Sequence, residues 1–282
     1  MNPEQEICNK LEVDSNLKRD EGRYIYCIIG ASEARKFSYP AIGDRGDEVH
    51  SISYQDIAVV VSSSPVIKYP ISRENTMAHQ KVLEKLMEDF TVLPVRFGTV
   101  ASSKNGVLAE ERIEKEVLKA RYEELKDLLT KMHEKIELGV KALWCDMKTI
   151  FERIVEENRD IKILKQRIAS KNPLHTYGDR VTLGEKVKDA LARKKAKEEK
   201  DILNVLKETY VDMCTNKIFG DNMITNCAFL VEKSKVEQFD KLVNKLSTDY
   251  SGRIRFKYVG PVPPCNFVEL VITLGGEEYE SN

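Results

Sequence analysis

One arginine interrupts an apolar run in LPVRFGTVAS (93–102), where Arg96 lies between Val95 and Phe97. A guanidinium is permanently charged and presents a planar fork of donors that can clamp a carboxylate or a backbone carbonyl. Read as one strand, the segment puts Arg96 with Pro94 and Gly98 on one face, opposite Leu93, Val95 and Phe97. Two roles follow: a fork for a partner, or an ion pair with a carboxylate of the preceding helix, Glu84 or Glu88. The second is the commoner fate of an isolated arginine.

His79 is the other residue placed to do chemistry. It lies one turn before Leu83, on the apolar stripe of its helix, where it reads as a general base or, more commonly, as a satisfied core histidine. Cys27 sits inside an apolar strand with nothing in sequence to lower its pKa, so it reads as a small core hydrophobe rather than a nucleophile. The rest of the catalytic inventory is thin. The sequence contains no G-x-x-x-x-G-K-[ST], no G-x-G-x-x-G after a strand and no G-x-S-x-G, so the phosphate cradles and the nucleophile elbow are missing. The four histidines show no H-x-H or H-E-x-x-H spacing to offer a metal two nitrogens on one face. No catalytic residue, cofactor or metal is expected.

Composition narrows the class. The 282 residues suffice for about two domains, and 45 basic against 46 acidic residues leave a net charge of −1. That balance argues against nucleic acid as the main partner. No stretch reaches the ~20 apolar residues of a bilayer span, and MNPEQEICNKLEVDSNLKRDEGR lacks the apolar core of a signal peptide. Six scattered cysteines without a C-x-x-C read as reduced thiols. The expectation is a cytoplasmic protein without a lipid-membrane partner.

These residues need elements to hold them. RYIYCIIG (23–30) is apolar on both alternations, as a strand buried on both faces requires. VHSISY (49–54) and IAVVVSS (57–63) read as a hairpin about Gln55 and Asp56. Ser72 caps a predicted helix from Arg73 to about Asp89, with Val82, Leu83, Leu86, Met87 and Phe90 as its stripe. LPVRFGTVAS follows as a strand, then a helix over about 104–132. IELGVKALW (136–144) alternates as a half-buried strand. Helices are predicted over 149–168 and about 183–213, separated by KNPLHTYGD with Pro173 and Gly178. RKKAKEEKD (193–201) is nearly all charge, a solvated helix or a docking arm. TNCAFLVEK (225–233), a helix capped by Ser234 and RIRFKYVG (253–260) complete the chain. With a short strand near 217–221, the order after Ile136 becomes βαββαβ, the ferredoxin-like pattern with a long helical insertion. The expected fold is therefore α+β: a flexible tail over 1–22, an N-terminal mixed α+β domain over 23–135 and a C-terminal ferredoxin-like domain over 136–282.

Four segments resemble a known family in order and type. AHQKVLEKLMEDFTVLPVRFGTVAS (78–102), ELGVKALW (137–144), NCAFLVEKSKVEQFD (226–240) and GPVPPCNFVE (260–269) are similar to motifs of the gas vesicle GvpL/GvpF family. YIYCIIG also fits its opening strand. The family often carries aromatics within and just after its G-P-x-P-P turn, where this chain has Val262 and Cys265. The resemblance implies a non-enzymatic accessory protein of gas vesicle assembly, of F or L type. It implies binding to the hydrophobic gas vesicle shell protein, chaperone-like prevention of shell-subunit aggregation, contacts with other gas vesicle accessory proteins, and a place at the vesicle as an associated or minor component.

Two functions compete on this reading. In the first, an open strand edge accepts a shell segment by β-augmentation, around Tyr24, Tyr26, Ile28, Arg96, Phe97, Gly98 and Thr99. In the second, His79 and Arg96 form an acid–base and anion-binding pair of an enzyme or small-ligand sensor with a ferredoxin-like regulatory domain. Convergence of those two side chains in a pocket would favour the second. An RNA-binding reading lacks the RNP aromatic pattern.

Overall fold

The computed structural model describes residues 21–172, 175–268 and 270–274. They form a mixed α+β chain with two antiparallel sheets, in two compact units. The first unit falls within Met1–Ile136 and Val262–Asn282, the second is Glu137–Pro261. Residues 262–268 and 270–274, expected in the C-terminal domain, thus group with the first unit. There Val95 and Leu270 form a parallel bridge, and Arg121 Nη1 donates to the Val271 carbonyl at 2.8 Å. Of the expected tail, residues 1–20 lie outside the described residues, and Glu21 and Gly22 already belong to the first strand.

The first unit is built on β1 (Glu21–Ile29), β2 (Lys36–Pro40), β3 (Glu48–Tyr54), β4 (Ile57–Pro65), β5 (Val92–Pro94) and β6 (Val100–Ala101). Their order is β2-β3-β4-β1-β5, with β6 also pairing β1. β1 is the interior strand its two apolar faces require. A bulge between Ile25 and Cys27 breaks its alternation, so that Cys27 and Ile29 join Tyr24 and Tyr26 in one core cluster while Ile28 is left out of it. The β3–β4 hairpin turns at Gln55–Asp56 as expected, Gln55 taking a positive φ of 55°. β2 was not anticipated. KFSYP is short and ends in proline, and its Lys36–Glu48 ion pair at 2.8 Å marks a guarded edge.

Helix α1 (Arg73–Leu86) starts where its cap predicts, the Ser72 hydroxyl accepting the Asn75 N–H at 3.2 Å. It buries His79, Val82, Leu83 and Leu86 against the β1 cluster. LPVRFGTVAS is not one strand. It pairs at β5, turns through Gly98 at φ +84° and resumes pairing at β6, so Arg96 lies in the turn and outside any alternation. The helix expected from Lys104 begins only with α2 (Ala109–Arg112), because Lys104 and Val107 close a tight turn whose Asn105 and Gly106 both have positive φ. A π-helical stretch (Ile113–Lys119) and α3 (Tyr122–Met132) follow. Ile113, Val117, Leu118 and Leu125 on their inner side are sealed from solvent.

The second unit holds β7 (Lys135–Trp144), α4 (Met147–Glu157), α5 (Arg159–Ala169), α6 (Tyr177–Leu206), β8 (Asp212–Thr215), β9 (Met223–Glu232), α7 (Val236–Asp249) and β10 (Ile254–Val262). Its sheet order is β10-β7-β9-β8. The single helix expected over 149–168 is two, because Asn158 is extended and its side chain caps the Ile154 carbonyl at 2.7 Å. Pro173 lies outside the described residues, and Gly178, expected to break a helix, is inside the first turn of α6. That helix ends at Leu206 rather than Met213. The short strand is Asp212–Thr215, paired antiparallel with β9, while 217–221 forms the return loop with Gly220 at φ +76°. Ser234 does not cap α7: it lies in a 3-10 turn, and the helix opens at Val236 without a side-chain cap.

Candidate functional site

The polar and aromatic residues singled out in the first unit converge on β1. Tyr24 is 0% exposed, with its ring 4.9 Å from Tyr26, 5.2 Å edge-on to Tyr69 and 6.4 Å from Phe97. Such tilted and edge-to-face pairs each add about 0.5–1.5 kcal/mol beyond burial. The hydroxyls are tied as well. Tyr24 Oη accepts the Gly98 N–H at 3.1 Å and lies 3.0 Å from His79 Nδ1. Tyr26 Oη accepts the Ile42 N–H at 2.9 Å and lies 3.1 Å from Ser62 Oγ. Burial pushes both tyrosine hydroxyls well above their ordinary range.

His79 is a core histidine. Burial holds its pKa down at about 4, so the ring is neutral near pH 7. With Gly98 donating to Tyr24 Oη, the arrangement that satisfies each group has the Tyr24 hydroxyl donating to His79 Nδ1. The ring also stacks 5.7 Å from Tyr26 and stands 5.6 Å from Phe97. A base held this way has its Nδ1 lone pair occupied by a structural hydroxyl.

Arg96 is exposed, and Phe97, Gly98 and Thr99 are half-buried. The turn is closed by Thr99 Oγ1, which donates to the Arg96 carbonyl at 2.7 Å. The expected ion pair is not formed: Glu88 pairs with Lys85, Glu84 accepts from Gln80, and the Arg96 side chain has no polar partner among the described residues. Nor do Arg96 and His79 meet, so the acid–base pair of the competing reading is not assembled. Tyr24, Tyr26 and Ile28 are fully buried and offer a partner no side-chain surface. What remains accessible of the expected contact region is the turn Arg96–Thr99, held from below by the Tyr24 hydroxyl. Cys27 is likewise sealed in the core, burial raising its thiol pKa.

Elsewhere the chemistry is sparse. A cavity of about 300 Å³ beside the Lys104–Val107 turn is lined by Lys104, Asn105, Val107, Arg112, Lys115 and Glu116. Arg112 is spoken for there, donating to Glu116 Oε1 at 3.0 Å and to the Ser102 carbonyl at 2.8 Å. Among the described residues no three His, Cys, Asp or Glu side chains gather as metal ligands, and no helix is long and apolar enough to cross a membrane. In the second unit Glu198, from the charged run, is buried. It accepts Trp144 Nε1 at 2.7 Å and Arg253 Nη1 at 2.5 Å, which pins α6 to β7 and to the start of β10. Sequence reading missed this group, because nothing distinguishes Glu198 from Glu199 until distant partners surround it.

Comparison with known proteins gives a consistent result. The chain matches the family model described as gas vesicle synthesis protein GvpL/GvpF over residues 22–269. It is 30% identical over 252 residues to gas vesicle protein F of a Streptomyces species, spanning 87% of this chain and 99% of that one. Gas vesicle protein F of Microcystis aeruginosa is 25% identical over 235 residues, spanning 81% and 91%. Among solved structures, the crystal structure of gas vesicle protein GvpF from Anabaena sp. PCC7120 shares the fold at a TM-score of 0.76 and 23% identity, covering 89% of this chain and 99% of that one.

Proposed function

The chain belongs to the GvpL/GvpF family of gas vesicle synthesis proteins, and from that premise we propose that it is a non-enzymatic accessory protein that binds the hydrophobic shell subunit during gas vesicle assembly. The observation that carries this is the family match over nearly the whole described fold. An apolar subunit self-associates unless a partner covers it or presents it in order, so the role is to hold shell subunits in a soluble form and hand them on. We place the work in the cytoplasm and at the vesicle, with other assembly proteins as further partners.

The Arg96–Thr99 turn is the contact region we favour, because an exposed guanidinium without a polar partner stands on a rigid, fully buried base. We also read the second unit as ferredoxin-like: its sheet order, fourth-first-third-second in chain order, and its helices between first and second and between third and fourth strands support that reading. The enzyme reading gains nothing from the geometry, since His79 and Arg96 do not converge.

Co-expression with a gas vesicle shell protein, followed by affinity capture of this chain from the soluble fraction, tests the proposal. Soluble shell protein should co-purify with this chain and be missing from a control without it. Shell protein that stays insoluble, with nothing captured, would rule out direct holding.

A further inference from the structure

The loop between β4 and α1, Pro65–Ile71, keeps apolar side chains in water. Ile71 is 87% exposed, Ile67 48% and Val66 41%. A hydrophobic residue just before a helix N-cap ordinarily packs onto the fourth helical residue. Ile71 holds that place before the Ser72 cap, but the residue it would pack on is Thr76, whose hydroxyl is turned to the Ser72 carbonyl at 2.7 Å. The staple is therefore unmade, and Ile71 projects.

Slack in the loop does not account for this exposure. The Ile67 N–H donates to the Pro65 carbonyl at 2.9 Å and the Ser72 N–H to the Pro70 carbonyl at 2.8 Å, two tight turns each set by a proline. Between them Tyr69 is buried, its hydroxyl 3.0 Å from Ser64 Oγ and its ring against Tyr24. Val66 is anchored over Gly22, where an added Cβ would come within 3.0 Å of its Cγ2. A loop held this firmly with its isoleucines outward is preorganised for contact, so binding costs little ordering entropy. Tyr24 supports the Arg96–Thr99 turn through its hydroxyl and this loop through its ring, so both stand on one buried base.

The charges say what fits. Lys68, Arg73 and Arg96 are exposed and have no polar side-chain partner among the described residues, in a chain with one more acidic than basic residue overall. Glu74 beside them is placed in the first turn of α1, where a carboxylate suits the helix dipole. Apolar knobs between unpaired cations complement an apolar segment that carries acidic residues at its rim.

We propose that the Pro65–Ile71 loop, together with Lys68, Arg73 and the Arg96–Thr99 turn, is the docking surface for an apolar, acid-rimmed segment of the shell subunit. The choice of occupant rests on the shell-binding reading above. The test repeats the co-expression capture with the full chain in four forms: unaltered, I67S/I71S, K68E/R73E and F219S. Phe219 is 63% exposed in the second unit and serves as a control for general stickiness. All four should show matching circular dichroism and thermal midpoints, since each change is on the surface. The two loop variants should recover at least about tenfold less shell protein, and F219S should match the unaltered chain. Capture by both loop variants within about twofold of the unaltered chain, or an equal loss in F219S, overturns the docking surface while leaving shell binding intact. No capture by the unaltered chain overturns shell binding and this surface together.

Discussion

The Tyr24 hydroxyl stands 3.0 Å from His79 Nδ1 while accepting the Gly98 N–H at 3.1 Å. One phenol thus ties the central strand, the first helix and the turn that carries Arg96. It makes His79, which invites a catalytic reading, a structural residue, and it sets the rigidity of the turn above it.

Removing that phenol should be costly. Tyr24→Phe strands the Gly98 N–H and His79 Nδ1, each at about 1–3 kcal/mol. Amide hydrogen exchange in β1 and β4 should accelerate accordingly. Tyr24→Phe/His79→Leu should lose less than the sum of its single variants, because the two residues share one bond. Strict additivity would show that the bond contributes nothing.

Acid should weaken the first unit through His79. Its folded pKa is about 4, below the ordinary 6.5, so the unfolded chain binds the proton more tightly. The stabilisation is complete above about pH 6.5 and is lost progressively as pH falls to about 4, on the order of 3 kcal/mol over the window. Denaturation curves of the native chain and His79→Asn between pH 4 and 7.5 should differ in slope, the native one falling more steeply. Parallel slopes would mean that His79 is not the group responsible.

Glu198 should matter more than its neighbours in the charged run. Glu198→Ala leaves the buried Trp144 indole N–H without its acceptor and removes the charged partner of Arg253, itself one-third exposed, and should cost about 2–3 kcal/mol. Glu199→Ala removes only a bond to Thr225 and should cost about 1 kcal/mol. The chain has one tryptophan, so Trp144 emission reports unfolding of the second unit directly. Equal midpoints for the two variants would refute the distinction.

Arg96→Ala should leave stability within about 0.5 kcal/mol, since the guanidinium holds nothing in the fold. Shell-protein capture should nevertheless fall. Unchanged capture in a normally folded variant would remove Arg96 from the contact surface.

The legible parts of this fold are those in which one local signal decides. The two apolar faces of RYIYCIIG announce β1, Ser72 announces the start of α1, and alternation across Gln55–Asp56 announces the β3–β4 hairpin. The illegible parts turn on single residues whose conformation overrides the pattern. The bulge at 25–27 changes which β1 residues share a face, Gly98 bends an apparent strand, and Asn158 divides an apparent helix. β2 and β8 are short and polar enough that only their sheet partners make them strands.

The family resemblance and the α+β class were legible in the sequence, because motif order and helical periodicity survive without coordinates, whereas His79 read there as either a general base or a core residue. Tertiary structure decided which polar groups find partners. Glu198 meets Trp144 and Arg253 across 54 and 55 residues of chain, while Arg96 and the isoleucines of the Pro65–Ile71 loop are left facing water. Desolvation and hydrogen bonding depend on neighbours brought together by folding, and residue type and spacing do not encode those neighbours.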